Sequence, residues 1–164
     1  MSDDSELPCI MAPLADGSLL LPNVAVAEVL RSQRVRATDG LPSWCAGRIM
    51  WRGVILPLIS FEGARDLEGS GPPMSAQDGV LVINRSRDIR EFGFYGVLTR
   101  GTPRLLRLAD EDIDAVEQTE QEASSRAAEL GRVHVGEDIA IIPRLTFLED
   151  LILKNKLYAN AAKS

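Results

Sequence analysis

The sequence predicts a mostly β protein with short helical additions and one C-terminal helix. Three observations predict this class: the apolar runs are short, turn-forming residues separate them, and helical spacing is clear only near the end of the chain. The chain has 164 residues, 13 of them glycine and 9 proline, which is about the length of one ordinary domain. A hydrophobic fraction of 45% and a charged fraction of 26% are typical of a globular protein.

The first part of the chain predicts a hairpin followed by an ambiguous segment. Residues 9–14 and 18–22 are apolar runs on either side of Asp16-Gly17, which is a strong hairpin signal. Residues 24–30 mix alternating valines with alanine and leucine, so they are compatible with a strand and with one helical turn.

A second hairpin is predicted around residues 51–53, with residues 44–50 and 54–61 as its strands. Gly53 allows the positive φ that a tight turn often requires. Pro57 cannot donate a hydrogen bond to a neighbouring strand, so we expect a sheet edge or a bulge at that position.

The rest of the chain alternates loops with further strands. Residues 62–77 are rich in Gly, Pro, Ser and Asp, and they are the predicted crossover between two strand-rich halves. Residues 110–131 carry eight Asp or Glu and few regularly spaced apolar residues, which indicates an exposed connection with a partial helix. The predicted strands are residues 80–84, 92–99, 104–108, 133–135 and 138–142, the last two joined by a turn at Gly136.

The final element is predicted to be a helix. Thr146 and Glu149 have the spacing of a capping box, and Leu148, Leu151 and Ile152 share one helical face.

A single domain is predicted over residues 8–157, between an acidic, disordered N-terminus at residues 1–7 and a frayed tail at residues 158–164. We expect its strands to form two intertwined small β-barrels or one folded-over pair of sheets.

Charge and hydropathy narrow the range of partners and the location. A net charge of −6 disfavours nucleic acid, because neutralising phosphates requires a basic face. Arginines are frequent in residues 31–36 and 85–107, which leaves both solvated loops and an acidic protein partner open. Cys9 and Cys45 stand among apolar residues and are predicted to be buried. Without a signal core or an apolar run of ~20 residues, we expect a cytoplasmic protein that does not insert into membranes.

No residue pattern in the sequence indicates catalysis or metal binding. His134 is the single histidine, and no nucleophile motif accompanies it. The acidic residues 110–112 lack the spacing of a calcium loop, and Gly93, Gly96 and Gly101 lack that of a nucleotide-binding loop. We predict no enzymatic activity, cofactor or metal, and keep as an alternative a small cytoplasmic enzyme that uses His134 or the acidic cluster.

Glu28 and Arg52 are charges in apolar surroundings. Glu28 lies inside the run 24–30, and Arg52 lies in a turn between two apolar strands. A buried carboxylate is costly unless it is paired, and Arg can offer two parallel hydrogen bonds. An ion pair between Glu28 and Arg52 would account for both charges. The alternative is that each side chain is exposed to solvent separately.

The stretch 19–61 resembles the CheW-like domain of bacterial chemosensory systems. The matching residues are Leu21, Pro22, Val26, Glu28, Val29, Leu41, Pro42, Gly47, Trp51, Arg52, Gly53, Leu56, Pro57 and Leu58. A weaker likeness continues through Gly96-Val97-Leu98 and the turn at Gly136, so that the resemblance covers about residues 8–157.

The resemblance implies a fold of two five-stranded β-barrels packed side by side. It implies a non-enzymatic adaptor that couples the signalling tip of a methyl-accepting chemoreceptor to the regulatory domain of a CheA-type histidine kinase. The implied receptor-coupling residues are Glu28 and Arg52, which pair in the family, together with Gly47 and Val26.

Further partner contacts are implied for the strand that follows the turn. Gly53 belongs to the same turn as Arg52, and Val54 and Leu56 match positions on the side that would face the kinase.

Within the family, the loop 42–44 and the turn 51–53 are similar to the ChpC-type adaptors of type IV pilus (twitching) systems. Typical CheW proteins have Leu at the place of Trp51 and Asp at the place of Arg100. The reversed charge at Arg100 puts the usual partner surface of the second barrel in question and favours an auxiliary adaptor. A structural β-module of a pilus machine is the remaining alternative.

Overall fold

The computed structural model describes residues 6–31, 35, 36, 39–66, 74, 75 and 77–158. Over these residues it contains eleven strands and three short α-helices. The strands are β1 (Leu7–Pro13), β2 (Ser18–Pro22), β3 (Val26–Leu30), β4 (Cys45–Trp51), β5 (Val54–Ile59), β6 (Gly79–Asn84), β7 (Phe94–Thr99), β8 (Arg104–Leu108), β9 (Ile113–Ala115), β10 (Glu129–Val135) and β11 (Asp138–Pro143). The helices are α1 (Phe61–Asp66), α2 (Glu120–Ser125) and α3 (Leu145–Lys154).

The strands form two sheets, which confirms the mostly β prediction. One sheet has six strands in the order β8-β1-β2-β11-β10-β9, and the other has five in the order β3-β6-β7-β5-β4. Two backbone hydrogen bonds of 2.8 and 3.0 Å between Arg36 and Arg48 join the chain after β3 to β4. Because β3 and β4 are the outer strands of the five-stranded sheet, this bridge draws that sheet toward a closed barrel.

The two sheets are built from strands that are interleaved along the chain. Strands β1 and β2 pair within the six-stranded sheet with strands that follow residues 62–77, and β6 and β7 join the sheet of β3, β4 and β5. The predicted crossover loop begins as a helix, since residues 62–66 belong to α1, while residues 67–73 and 76 lie outside the described residues. A helix of six residues is too short to show helical periodicity in a sequence.

Several predicted local features are confirmed. The hairpin at residues 14–17 closes through a 2.9 Å hydrogen bond from the N–H of Leu14 to the carbonyl of Gly17, which has a φ of +97°. The β10–β11 hairpin turns at Gly136, with a φ of +62°. The ambiguous segment contains both predicted conformations: a 3₁₀ turn at Asn23–Ala25 leads into β3.

The edge predicted at Pro57 is wrong. Strand β5 is an inner strand, with β4 on one side and β7 on the other. Its parallel register with β7 includes Leu58 and Ile59 and does not include Pro57. The irregularity lies in the partner strand, where the β4–β5 register shifts between Cys45 and Gly47.

The C-terminal helix is confirmed, but its predicted capping box is wrong. Helix α3 begins at Leu145, and its N-cap residue Arg144 makes no side-chain capping bond. Glu149 is instead fully buried on the face that also buries Leu148 and Ile152.

The buried carboxylate of Glu149 receives donors from a loop and a strand far away in sequence. Ser86 donates both its backbone N–H and its hydroxyl at 2.7 Å, and the hydroxyl of Tyr95 donates at 3.1 Å. Burial, and then the charge of Glu149, raise the pKa of Tyr95 far above its ordinary value, so that its phenol remains a donor. Beyond the helix, Tyr158 stacks on Phe92 with ring centroids 6.3 Å apart.

The acidic connection contains more structure than the sequence predicted. Its partial helix is α2, capped by the hydroxyl of Thr119, which accepts from the N–H of Glu122 at 3.1 Å. The sequence missed β9, which has only three residues, and the early start of β10. Strand β10 begins at Glu129, a buried carboxylate that Arg132 contacts through two hydrogen bonds of 2.8 and 2.9 Å.

The largest hydrophobic cluster contains side chains of both sheets. Its fully buried members include Leu19, Phe61, Leu81, Ile83 and Tyr95. Burial of this kind is the main favourable term in folding, and it joins the sheets into one unit.

The two cysteines are buried and free, as predicted. Burial raises the pKa of both thiols. Over the described residues, no helix has the length and apolar character needed to cross a bilayer.

Candidate partner-binding surface

The β4–β5 hairpin ends in a tight two-residue turn. Trp51 pairs with Val54 across the hairpin, and the two residues between them have positive φ, +49° for Arg52 and +80° for Gly53. Positive φ at both central positions is the signature of a type I′ turn, which matches the twist of the flanking strands. A side chain on Gly53 would meet no atom within 4 Å, so the backbone conformation alone favours glycine there, as predicted.

The turn presents Arg52 to Glu28 on strand β3. The distance from Nη2 of Arg52 to Oε1 of Glu28 is 3.1 Å, which confirms the predicted pair. The predicted burial is wrong: the Arg52 side chain is 70% exposed and that of Glu28 is 37% exposed. Because β3 alternates half-buried and exposed residues, Glu28 can reach solvent, and it needs no pairing to offset full burial.

Trp51 is the third member of this group. Its indole N–H donates to the same Oε1 of Glu28 at 2.9 Å, and the guanidinium carbon of Arg52 lies 5.1 Å from the centre of the indole ring. The indole itself is buried and packs against Phe94 with ring centroids 4.8 Å apart. The sequence marked Trp51 only as part of the turn, although a buried tryptophan usually needs an acceptor for its N–H.

The relative strengths of these contacts show which of them fixes the positions of Glu28 and Arg52. An exposed ion pair contributes only about 0–1 kcal/mol. A hydrogen bond to a charged group contributes about 1.5–3 kcal/mol, and an exposed cation–π contact about 0.5–1 kcal/mol. The hydrogen bond from Trp51 is therefore the strongest of these contacts to Glu28, while the cation–π contact and the ion pair stabilise Arg52 to a similar extent.

Gly47 lies where the five-stranded sheet closes. A Cβ atom at this position would be 2.6 Å from the carbonyl oxygen of Arg36 and 2.7 Å from Cγ1 of Val35, and Gly47 has a φ of +142°. The close approach of these two segments therefore excludes any side chain at residue 47. Gly47 is buried, so it shapes the barrel wall under the predicted receptor groove.

The remaining predicted contact residues differ in exposure. Val54 is 48% exposed beside the turn, whereas Val26 is half-buried against the main core. Leu56 is only 2% exposed and belongs to the core of the five-stranded sheet, so its predicted place on a partner-facing surface is wrong. Strand β5 is apolar on both faces, so its sequence does not indicate which of its side chains are exposed.

Met50, 52% exposed on the same hairpin, is an apolar contact candidate that the sequence did not indicate.

The residues of the alternative enzyme hypothesis lie apart from this surface. His134 is exposed on β10, opposite Ile139 and Asp114. Asp112 receives the backbone N–H of Ala109 at 2.8 Å, as part of a short 3₁₀ turn. In the part of the chain that the structure describes, no three His, Cys, Asp or Glu side chains group in a way that could hold a metal ion.

Arg100, the residue with reversed charge, points into the protein. Its Nη1 lies 3.2 Å from Oδ2 of Asp78 and its Nε lies 3.4 Å from Oε2 of Glu62, with all three side chains at most 8% exposed. The same Glu62 oxygen accepts the backbone N–H of Ala15 at 2.8 Å, and the N–H of Arg100 donates to the carbonyl of Pro13 at 2.8 Å. The reversed charge therefore lies in an internal contact between the sheets and not on a partner surface.

Comparisons with known proteins agree with this architecture. A family model described as the CheW-like domain matches residues 8–146. Among solved structures, the scaffolding protein TtCheW from Thermoanaerobacter tengcongensis is similar, with a TM-score of 0.66 and 15% sequence identity over 85% of this chain and 89% of that chain. No curated protein sequence matches the chain. CheW-like proteins are non-enzymatic scaffolding adaptors, and the chain belongs to this CheW-like domain family.

Proposed function

We propose that this adaptor couples methyl-accepting chemoreceptors to a CheA-type histidine kinase, by protein contact alone and in the cytoplasm. The observation that carries the proposal is the Glu28–Arg52 pair, which is formed and accessible at positions that pair in the family. An exposed pair held by a buried tryptophan supports recognition better than stability, because exposed pairs contribute little to folding.

The receptor side of the proposal is the surface around the turn. Arg52 and Glu28 would contact polar groups on the receptor signalling tip, and Val26 would line the edge of that contact. Gly47 would act indirectly, by allowing the close approach that shapes this wall of the barrel.

The kinase side of the proposal uses the exposed apolar residues of the hairpin. Val54 is accessible beside the turn, and Met50 is exposed on the opposite face of the same hairpin, where it pairs with Ile55. Apolar side chains at the centre of an interface with charges at its rim are typical of protein partners. The regulatory domain of the kinase would bind here, while Leu56 supports the surface from the core.

Such an adaptor transmits a signal through differential affinity. If the receptor binds one arrangement of the adaptor and kinase more tightly than another, it shifts the population of kinase states without any chemistry. Interfaces of this transient kind are often small, below about 1,200 Å² in total.

We further propose that the pathway controls type IV pili. The support is the likeness of the loop 42–44 and of the turn 51–53 to the ChpC-type branch. Loss of twitching motility on deletion of the gene, with swimming unchanged, is the expected result. Unchanged twitching would contradict this part of the proposal and leave the coupling function to its own test.

The test of coupling compares two charge reversals. Arg52→Glu places two carboxylates side by side, and we expect it to weaken the binding of a receptor signalling fragment at least about tenfold. Arg107→Glu is the matched control, because Arg107 is an exposed arginine on β8 of the other sheet. Each variant is measured by pull-down and calorimetry against the receptor fragment and the kinase regulatory domain separately. Wild-type receptor binding by Arg52→Glu would contradict the assignment.

A further inference from the structure

We infer that Trp51 is a positioning residue, which fixes Glu28 and Arg52 in the geometry that the receptor recognises. The inference rests on the proposed coupling function and adds a residue to the same site. Its geometric basis is the shared oxygen: Oε1 of Glu28 accepts from both Trp51 and Arg52. Within the described residues, the other oxygen of Glu28 accepts no hydrogen bond, so it is available to accept one from a partner.

The indole is itself held rigidly. Trp51 is the last residue of β4 and 8% exposed, with Leu56 and Leu58 in the same core cluster. Its ring packs on Phe94 of β7 at an angle of 59°. A ring clamped between strands has few alternative rotamers, so its N–H direction is set by the fold.

This rigidity reduces the cost of binding. Glu and Arg side chains lose rotamer freedom when a partner immobilises them, and each such loss weakens affinity by about two- to tenfold. In this protein the indole N–H orders the Glu28 carboxylate, and the indole face supports the Arg52 guanidinium before a partner arrives. A leucine at residue 51, as in typical family members, can do neither.

The first test is spectroscopic and needs no partner. The chain contains two tryptophans, Trp44 and Trp51, so a nitrogen-15 spectrum shows two indole N–H signals. In Glu28→Gln the charge of the acceptor is lost, and we expect the Trp51 signal to move while the Trp44 signal, a built-in reference, stays. An unmoved Trp51 signal in the folded variant would overturn the inference.

The second test measures binding of the receptor signalling fragment. Trp51→Phe keeps a ring against Phe94 but removes the N–H, and we expect it to weaken binding about three- to tenfold. Glu28→Ala removes the acceptor itself, so both changes break the same hydrogen bond, and Glu28→Ala combined with Trp51→Phe should bind no more weakly than the weaker single variant. Trp51→Leu removes the aromatic face under Arg52 as well as the N–H, so it should weaken binding more than Trp51→Phe does.

The outcomes separate the inference from the proposed function. If Arg52→Glu and Glu28→Gln both bind the fragment like the wild type, the coupling proposal fails. If those two weaken binding and a folded Trp51→Phe does not, the coupling site stands and the positioning role of Trp51 is overturned.

Discussion

Two ion-pair groups in this protein use the same chemistry in opposite environments. Glu28 and Arg52 meet at the surface, with the arginine 70% exposed. Arg100 meets Glu62 and Asp78 between the sheets, where all three side chains are at most 8% exposed. Since water screens the first group and is excluded from the second, the comparison indicates that the buried group holds the sheets together and the exposed group is available to partners.

The largest expected effect would come from breaking the buried group. Arg100→Ala leaves the carboxylates of Glu62 and Asp78 buried without their cation, and we expect a loss of about 3–5 kcal/mol in the free energy of unfolding. Arg52→Ala, the matched change in the exposed group, should cost less than about 1 kcal/mol. Urea unfolding of the two variants measures the difference in the free energy of unfolding. Equal losses would contradict the distinction between the buried and the exposed group.

A second buried carboxylate, that of Glu149, tests whether burial determines how much stability is lost when a carboxylate is removed. Glu149→Ala removes the acceptor of Ser86, Tyr95 and Arg87, and the loss of these bonds, with the buried Tyr95 hydroxyl left without its acceptor, should cost about 3 kcal/mol. Asp150 follows it in the same helix with a side chain that is 67% exposed, so Asp150→Ala should cost less than about 1 kcal/mol. Thermal unfolding monitored by circular dichroism compares them. A larger loss for Asp150→Ala would contradict the prediction.

Two glycines of the β4–β5 hairpin, Gly47 and Gly53, should differ in how much stability is lost when each is replaced by alanine. Gly47→Ala puts a Cβ atom 2.6 Å from a backbone oxygen in a positive-φ conformation, and we expect a cost of about 2–3 kcal/mol. Gly53→Ala meets only the conformational penalty of its positive φ, about 1 kcal/mol. Chemical unfolding of both variants checks the order, which would be overturned if Gly53→Ala cost as much as Gly47→Ala.

The sequence could predict elements whose signals are local. The Asp16-Gly17 turn, the Gly136 turn and the apolar face of α3 depend on adjacent or helically spaced residues, and all were confirmed. The Glu28–Arg52 pair was predictable only through the family resemblance, because 24 residues separate its members.

Contacts that depend on tertiary packing could not be predicted. Arg100 reaches Glu62 across 38 residues and Asp78 across 22, so no local pattern indicates that its charge is internal. Glu149 has the spacing of a capping residue, but the fold buries it and supplies other donors. The place of Leu56 in the core was hidden because β5 is apolar on both faces.

The central claim is that the exposed pair serves recognition and the buried group serves stability. Its most direct test is one variant measured twice: the dissociation constant of Arg52→Glu for a receptor signalling fragment, and the free energy of unfolding of the same sample. We predict binding at least about tenfold weaker, with the free energy of unfolding lower by less than about 1 kcal/mol. Unchanged binding, or a loss of stability as large as that of Arg100→Ala, would contradict the claim.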